Sequence, residues 1–250
     1  MKSEVHNIDC LELMRTLPDK CFQLAIADPP YGIGADNPTK KPVMVKQRNG
    51  SYLHVKPTEY SRKNWDDAIP SQIFFDELRR VSVNQIVWGA NYFGLCGGMI
   101  VWDKLNGDSD QYGCEIAFQS FNNRTDIVRY MWQGMFQGEV CSSDISKAKR
   151  QQGNKALNET RIHPTQKPVA LYAWLLQHYA KPGDRIFDPM MGSQSSRIAA
   201  YKLGFDYVGC ELDKEYFAKG CERFDRECHG ITISESGQRY QQTALFDPPS

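Results

Sequence analysis

The chain reads as an α/β fold, one open and mainly parallel sheet with helices on both faces. Two observations predict it. Short apolar runs of strand length recur at 23–27, 85–88, 99–102, 116–121, 127–132, 185–187 and 207–210, most of them bounded by Gly, Pro, Asp or Asn. Helical periodicity alternates with them at 71–81, 169–179, 195–203 and 214–228. Strands that alternate with amphipathic helices bury their apolar residues best when helices cover both sides of a parallel sheet. In such sheets ligands bind beyond the carboxyl ends of the strands, so the residues that follow each strand carry the functional information.

At 250 residues, with 41% hydrophobic and 12% aromatic side chains, the chain can bury one full core with room for an inserted lobe. A single domain over 1–250 is expected. Thirty basic and thirty acidic residues cancel, which excludes coating of nucleic acid by global charge alone. The eight cysteines show no metal-type pair spacing, and Met1-Lys2-Ser3-Glu4 begins no apolar signal core. Reduced thiols, no metal and a cytoplasmic location are therefore expected. No apolar stretch reaches the roughly 20 residues needed to cross a bilayer, so no membrane insertion is expected.

Local charge is uneven. Between residues 39 and 63 lie Lys40, Lys41, Lys46, Arg48, Lys56, Arg62 and Lys63 against the single acid Glu59, with Tyr52 and Tyr60 interleaved. A second run holds Lys147, Lys149, Arg150, Lys155 and Arg161. Both lack aliphatic periodicity and read as loops, either solvated or facing a polyanion. Arg79, Arg80 and Lys104 read as solvated charges, and Trp65, Trp88, Trp102 and Tyr92 as core or site walls.

The strand at 23–27 runs straight into Asp28-Pro29-Pro30-Tyr31-Gly32. Each proline fixes its own φ, lacks an N–H and biases its predecessor towards extended backbone, so the turn is stiff and its carbonyls stay available. A carboxylate beside a rigid carbonyl is a paired acceptor for the two hydrogens of a planar amino group, and a tyrosine ring can stack on a base. The strand at 185–187 leads into Asp188-Pro189-Met190-Met191-Gly192-Ser193-Gln194-Ser195 and a helix. An acid, a glycine for close backbone approach and small hydroxyl residues at a helix start suit a nucleoside-bearing cofactor. About 20 residues on, Glu211-Leu212-Asp213 follows the next strand, where an acid can accept from ribose hydroxyls. His163-Pro164-Thr165-Gln166-Lys167-Pro168 precedes the helix at 169–179, with Thr165 a candidate cap and Pro168 suited to the first turn. In Asn7-Ile8-Asp9-Cys10-Leu11-Glu12-Leu13-Met14, Asp9 reads as a helix N-cap.

These segments resemble the DNA amino-methyltransferases that carry Asp-Pro-Pro-Tyr or a close variant, the N6-adenine and N4-cytosine family, over about residues 7–228. The resemblance implies a Rossmann-like methyltransferase fold with S-adenosylmethionine as cofactor and DNA, its target base flipped out of the duplex, as substrate. It implies that Asp28, Pro29, Pro30 and Tyr31 are catalytic, and that Asp28 and the Pro29 carbonyl take the amino group while Tyr31 stacks on the base. It assigns Asp188, Pro189, Gly192, Ser193, Ser195, Glu211 and Leu212 to the cofactor. His163, Thr165, Gln166, Lys167 and Pro168 would line the methionine end, with Ile8 and Asp9 beside the adenine. Gln194 stands where the family has a second glycine, and glutamine adopts a positive φ poorly, so the closeness of backbone approach there stays open.

The motif order, catalytic before cofactor, resembles the β group, whose target-recognition region lies between the two. That makes 103–161 the expected recognition insert and 32–64 a basic DNA-contacting loop. Within the family, Asp at the first motif position leans towards adenine and Ser towards cytosine. N6-adenine methylation of a short site, by a bacterial or phage protein of the restriction-modification kind, is thus the expected activity. N4-cytosine methylation and a non-catalytic nucleic-acid-binding homologue are the rivals, and RNA or protein amide substrates stay open. Residues 234–250 read as a polar tail, in which Gln242-Thr243-Ala244-Leu245-Phe246 matches the Gln-x-x-Leu-Phe pattern of sliding-clamp peptides. A homodimer is left open.

Overall fold

The computed structural model describes residues 1–35, 43–46, 50–55, 63–107, 112–133, 136–234 and 238–241. The first half comprises β1 (Ser3–His6), α1 (Cys10–Thr16), β2 (Phe22–Ala27), β3 (Val43–Lys46), β4 (Tyr52–Val55), α2 (Gln72–Val81), β5 (Ser82–Trp88), α3 (Ala90–Phe93), β6 (Gly98–Asp103), β7 (Cys114–Gln119) and β8 (Thr125–Arg129). The second half comprises β9 (Trp132–Gln133), β10 (Phe136–Gln137), α4 (Ile145–Ala148), α5 (Val169–Tyr179), β11 (Arg185–Asp188), α6 (Ser195–Lys202), β12 (Asp206–Cys210), α7 (Lys214–His229), β13 (Ile231–Ile233) and β14 (Arg239–Gln241).

Period-two alternation along the central strands sorts their side chains into two cores. Leu24 and Ile26 of β2, Ile86 and Trp88 of β5, and Ile186 of β11 face a cluster completed by Leu171, Leu175 and Ile198 from α5 and α6. Ala25 and Ala27, Val87 and Phe187 face the opposite cluster, closed by Met14 of α1 and by Phe74, Leu78 and Val81 of α2. The result is the expected sheet with helices on both faces.

The sheet runs in the order β1-β12-β11-β2-β5-β7-β6-β8. All its pairings are parallel except those of β7, which runs against both β5 and β6. The chain moves outward from β2 through α2 to β5, and outward the other way from β11 through α6 to β12. The strand order therefore reverses between β2 and β11, and a crevice opens there beyond their carboxyl ends.

Several expectations are corrected. The stretch 103–161 does not stand apart as an insert, because β7 and β8 lie inside the central sheet. The elements of this stretch that lie outside that sheet, β9, β10 and α4, follow β8. Strand β1 went unread because Ser3-Glu4-Val5-His6 has one aliphatic residue, Val5, and pairs on one side only, with β12. The basic loop contains an antiparallel hairpin of β3 and β4, which its charge conceals. β13 and β14 pair at the start of the tail. Gln242–Phe246, with its clamp-like pattern, lies outside the described residues, as do Lys40, Lys41, Arg48, Lys56, Glu59, Tyr60 and Arg62. No described helix is long and apolar enough to cross a membrane.

Candidate active site

The crevice between β2 and β11 holds a cavity of about 620 Å³, within the range of small-molecule sites. Ile8, Asp9 and Cys10 form one wall, and Asp28 and Pro30 another. The turn after β11 brings Pro189, Met190, Met191, Gly192 and Ser193, and the end of β12 brings Glu211, Leu212 and Asp213. His163, Thr165, Gln166 and Lys167 come from the segment before α5, and Lys63, Asn64 and Trp65 from the segment before α2. Of the residues that the resemblance assigns to catalysis or to the cofactor, Pro29, Tyr31, Pro168, Asp188 and Ser195 are not among those that line the cavity.

The turn after β2 is held from outside. The buried carboxylate of Asp66 accepts backbone N–H bonds from Tyr31 (2.6 Å) and Gly32 (2.9 Å) on Oδ1, and from Ile33 (3.3 Å) and Ala35 (2.7 Å) on Oδ2. Proline leaves this turn without ladder partners, and Asp66 supplies the acceptors that its remaining N–H groups need. The Tyr31 ring stacks on Tyr92 with centroids 4.8 Å apart, and it packs onto backbone at Gly89, where a Cβ would meet the ring at 2.4 Å. Tyr31 Oη donates to Asp28 Oδ1 at 2.8 Å.

Lys167 lines the cavity and also reaches across to the turn after β2. Its ammonium donates to Asp28 Oδ1 (2.5 Å) and Tyr31 Oη (3.1 Å), and it pairs with Glu115 of β7 at 3.0 Å. Glu115 pairs in turn with Lys104 at 2.6 Å, so Lys104 is a nearly buried partner and not a solvated charge. Arg80 is likewise engaged, with Asp19 at 2.7 Å, Glu77 at 2.8 Å and two carbonyls of the α1 end. Burial favours the neutral acid at Glu115, but Lys167 and Lys104 override it and hold the carboxyl at about 2. Burial pushes Asp28 upward, Lys167 pulls it down and Glu115 pushes it up again, with the balance above the usual range. Burial disfavours the charged form of Lys167, but Asp28 and Glu115 reverse that and raise it.

On the opposite wall, Glu211 accepts from the backbone N–H of Gly192 (2.9 Å) and of Asp213 (2.9 Å). Asp9 caps α1, accepting from Leu11 and Glu12 while it lines the cavity, so the cap reading and the cavity position coincide. Gln194 does adopt a positive φ, at 62°, but its fully buried side chain points away from the cavity. It donates to the carbonyl of Phe217 in α7 (3.2 Å) and accepts from Arg197 (2.8 Å). Asp188 stands behind the wall: it accepts from Met190 N–H and Ser196 Oγ, and burial pushes it up to about 7. Ser195 Oγ accepts from the fully buried guanidinium of Arg223 at 2.9 Å. Arg223 also bonds Glu159 at 3.0 Å, and Glu159 accepts from Val169 N–H at 2.9 Å. The N-cap of α5 is Pro168, which offers no side-chain bond, so the first N–H of the helix goes to Glu159, while the Thr165 hydroxyl contacts His163 Nδ1 at 3.1 Å.

His163 packs between Trp65 and Tyr216, and burial, then the charge of Lys167, push its imidazole down to about 3. Gln166 pins its own segment, accepting from Ile162 N–H and donating to the Thr160 carbonyl. Lys63, counted in the basic run, is held by Asp213 (2.8 Å) and Glu215 (3.0 Å). Sequence reasoning missed Asp66, Glu115 and Glu159. Only Glu115 gave a signal, as the lone charge within the strand sequence Cys-Glu-Ile-Ala-Phe-Gln.

The chain is 23% identical over 223 residues to YubD of Escherichia coli (strain K12), a candidate methylase by its name, with 86% of this chain and 87% of YubD covered. It is 22% identical over 253 residues to the type II methyltransferase M.HinfI of Haemophilus influenzae, covering 83% of this chain and 64% of that longer protein. The PvuII DNA methyltransferase, described as cytosine-N4-specific, shares the fold with a TM-score of 0.52 at 14% identity, over 90% of this chain and 86% of that one. The sequence profile of the N6_N4_Mtase DNA methylase family matches residues 59–221, most of the chain, and on that match the protein belongs to the DNA methylase family.

Proposed function

We propose that this protein is an S-adenosylmethionine-dependent DNA methyltransferase that methylates the N6 amino group of adenine in a short DNA site. The observation that carries the reading is the shared cavity: Asp28, at the end of β2, lines the same space as Gly192 and Glu211, at the ends of β11 and β12. A carboxylate built to accept from an amino group thus faces a nucleoside-sized cavity.

The residues present fit the cofactor. The cavity has room for it, and Glu211 offers a carboxylate beside the apolar Ile8 and Leu212, which suits a ribose next to an adenine. Ile8, Asp9, Glu211 and Leu212 would hold the nucleoside, and Pro189, Gly192, Ser193, His163, Thr165 and Gln166 would enclose the rest. Pro168, Asp188 and Ser195 would act from behind, by fixing the segments that line the cavity. When bound, S-adenosylmethionine supplies an electrophilic methyl group on a sulfonium. The target base reaches the site by leaving the stack, at a cost of a few kcal/mol.

Asp28 and the Pro29 carbonyl accept the two amino hydrogens, which draws the nitrogen lone pair out of conjugation and aims it at the methyl carbon. S-adenosylmethionine held by these residues would supply the methyl group, its sulfur leaving as a neutral thioether, and Asp28 or water would take the proton that the amino nitrogen gives up. Pro30 stiffens the turn, and Tyr31 holds Asp28 through its hydroxyl, its ring being free to stack on the base only by giving up its packing on Tyr92 and Gly89. Neutral His163 leaves its part of the wall uncharged, so it would add no repulsion to a cationic sulfonium held in this cavity.

The test is incubation with tritiated S-adenosylmethionine and unmethylated bacterial genomic DNA, next to Asp28→Ala, followed by digestion and identification of the labelled nucleoside. N6-methyladenine that disappears in the variant is the expected result. N4-methylcytosine would keep the acceptor pair and change the base. No label in DNA would overturn the reading.

A further inference from the structure

Asp28 is the acceptor at the centre of the proposed reaction, and its two oxygens are not equivalent. Oδ1 takes both Tyr31 Oη (2.8 Å) and Lys167 Nζ (2.5 Å), and no described residue donates to Oδ2. An ammonium bonded to this carboxylate alone would drain it of the charge that makes it a strong acceptor. Lys167 is instead divided between Asp28 and Glu115, and Glu115 is itself divided between Lys167 and Lys104. Two carboxylates and two ammoniums alternate along this chain, so the cluster is neutral without Asp28 surrendering its own charge. All four members are buried deeply enough that an unmatched charge there would be costly: the Lys167 side chain is 3% exposed, Lys104 12%, Asp28 18% and Glu115 21%.

We infer that Glu115 and Lys104 are positioning residues for methyl transfer: acting through Lys167, they fix Asp28 by Oδ1 and leave Oδ2, still charged, to accept from the base amino group. The inference rests on the proposed methyl transfer and gives Lys167, on the cavity wall, a part in the amino-acceptor machinery as well. Lys167 also lies 5.2 Å from the Trp88 ring and 5.5 Å from that of Tyr31, which confines the ammonium between the two carboxylates.

The groups that set the charge of Asp28 come from several elements. Lys167 and Tyr172 face it from α5 and the segment before it, Glu115 from β7, Asp188 from the end of β11 and Tyr31 from its own turn. The cluster therefore makes opposite predictions for its two kinds of member. Removing the negative charge of Glu115 leaves Lys167 to Asp28 alone, so Asp28 ionises more readily and accepts more weakly. Removing the positive charge of Lys167 leaves Asp28 beside Glu115 with only the Tyr31 hydroxyl to offset burial, so it ionises less readily.

The experiment is single-turnover methyl transfer to DNA as a function of pH for the full chain, Glu115→Gln, Lys167→Met and Lys167→Arg, with S-adenosylmethionine affinity by calorimetry as the control. Glu115→Gln is expected to lower the plateau rate by about tenfold and to move the acidic limb to lower pH, with cofactor affinity held within about twofold. Lys167→Met is expected to move that limb to higher pH, and Lys167→Arg, which keeps the charge, to return it towards its original place. Should Lys167→Met fail to fold, Glu115→Gln carries the test alone. Wild-type transfer together with an unmoved plateau and limb in Glu115→Gln would overturn this inference and leave the methyltransferase reading standing. Absence of wild-type transfer would overturn that reading, and this inference with it.

Discussion

A carboxylate offers two acceptor oxygens with about four lone-pair sites, which no neutral side chain matches. Asp66 uses them to accept four backbone N–H bonds from the turn that carries Asp28 and Tyr31, from a position 1% exposed. Asparagine offers one oxygen and turns a donor towards donors, and alanine offers nothing. Asp66→Ala should therefore cost on the order of 3 kcal/mol, less than the sum of its bonds because water reaches part of this turn. Asp66→Asn should lie between the variant and the parent. The denaturation midpoint reads the first effect directly. Methyl transfer should show a second, in which kcat falls more than cofactor affinity does, because the turn that aims Asp28 has been loosened while the opposite wall is untouched. An Asp66→Ala protein with the parental midpoint would mean that the turn is held by its prolines alone.

The contact between α6 and α7 shows how a departure from the family motif is accommodated one element away. Gln194 occupies the N-cap of α6 in the left-handed region, and its side chain lies where a Cβ on Gly220 of α7 would be 2.6–2.8 Å from it. The glutamine and the glycine are thus a matched pair. Gly220→Ala alone should destabilise the protein by about 1–3 kcal/mol through overpacking. In a Gln194→Gly background the same change should become stabilising by about 1 kcal/mol, the ordinary helical preference of alanine over glycine. Additive values in a denaturation double-mutant cycle would sink the pairing. The sequence could not announce it, since residues 194 and 220 are far apart in the chain and only the packing of two helices joins them. The same limit explains the other omissions. Strands buried on both faces were legible as apolar runs, and the turns after β2, β11 and β12 were legible because proline, glycine and acid cluster there. Asp66, Glu115 and Glu159 act at long range on segments they are not next to in sequence. Edge strand β1 and the basic hairpin lack the apolar runs that betray the central strands.

At the scale of the molecule, the cavity is assembled from segments that are distant in the chain, from Ile8 at one end to Tyr216 near the other. A ligand there bridges both halves of the sheet across the point where strand order reverses, so binding should stabilise the whole fold and not one loop. At a concentration about 100 times Kd, S-adenosylmethionine should add about 2.7 kcal/mol to the unfolding free energy. For a chain of this size that is a rise in Tm of roughly 5–10 °C. Leu212 separates this effect from intrinsic stability. It lines the cavity yet is 67% exposed, so Leu212→Asp removes an apolar cover without disturbing the core. The variant should melt where the parent does when unliganded, because exposed substitutions seldom move stability by more than about 0.5 kcal/mol. It should lose most of the ligand-induced rise, because a carboxylate would replace apolar contact beside Glu211, which is already acidic. An equal rise in parent and variant would place the cofactor elsewhere, and no rise in the parent would detach this cavity from S-adenosylmethionine altogether.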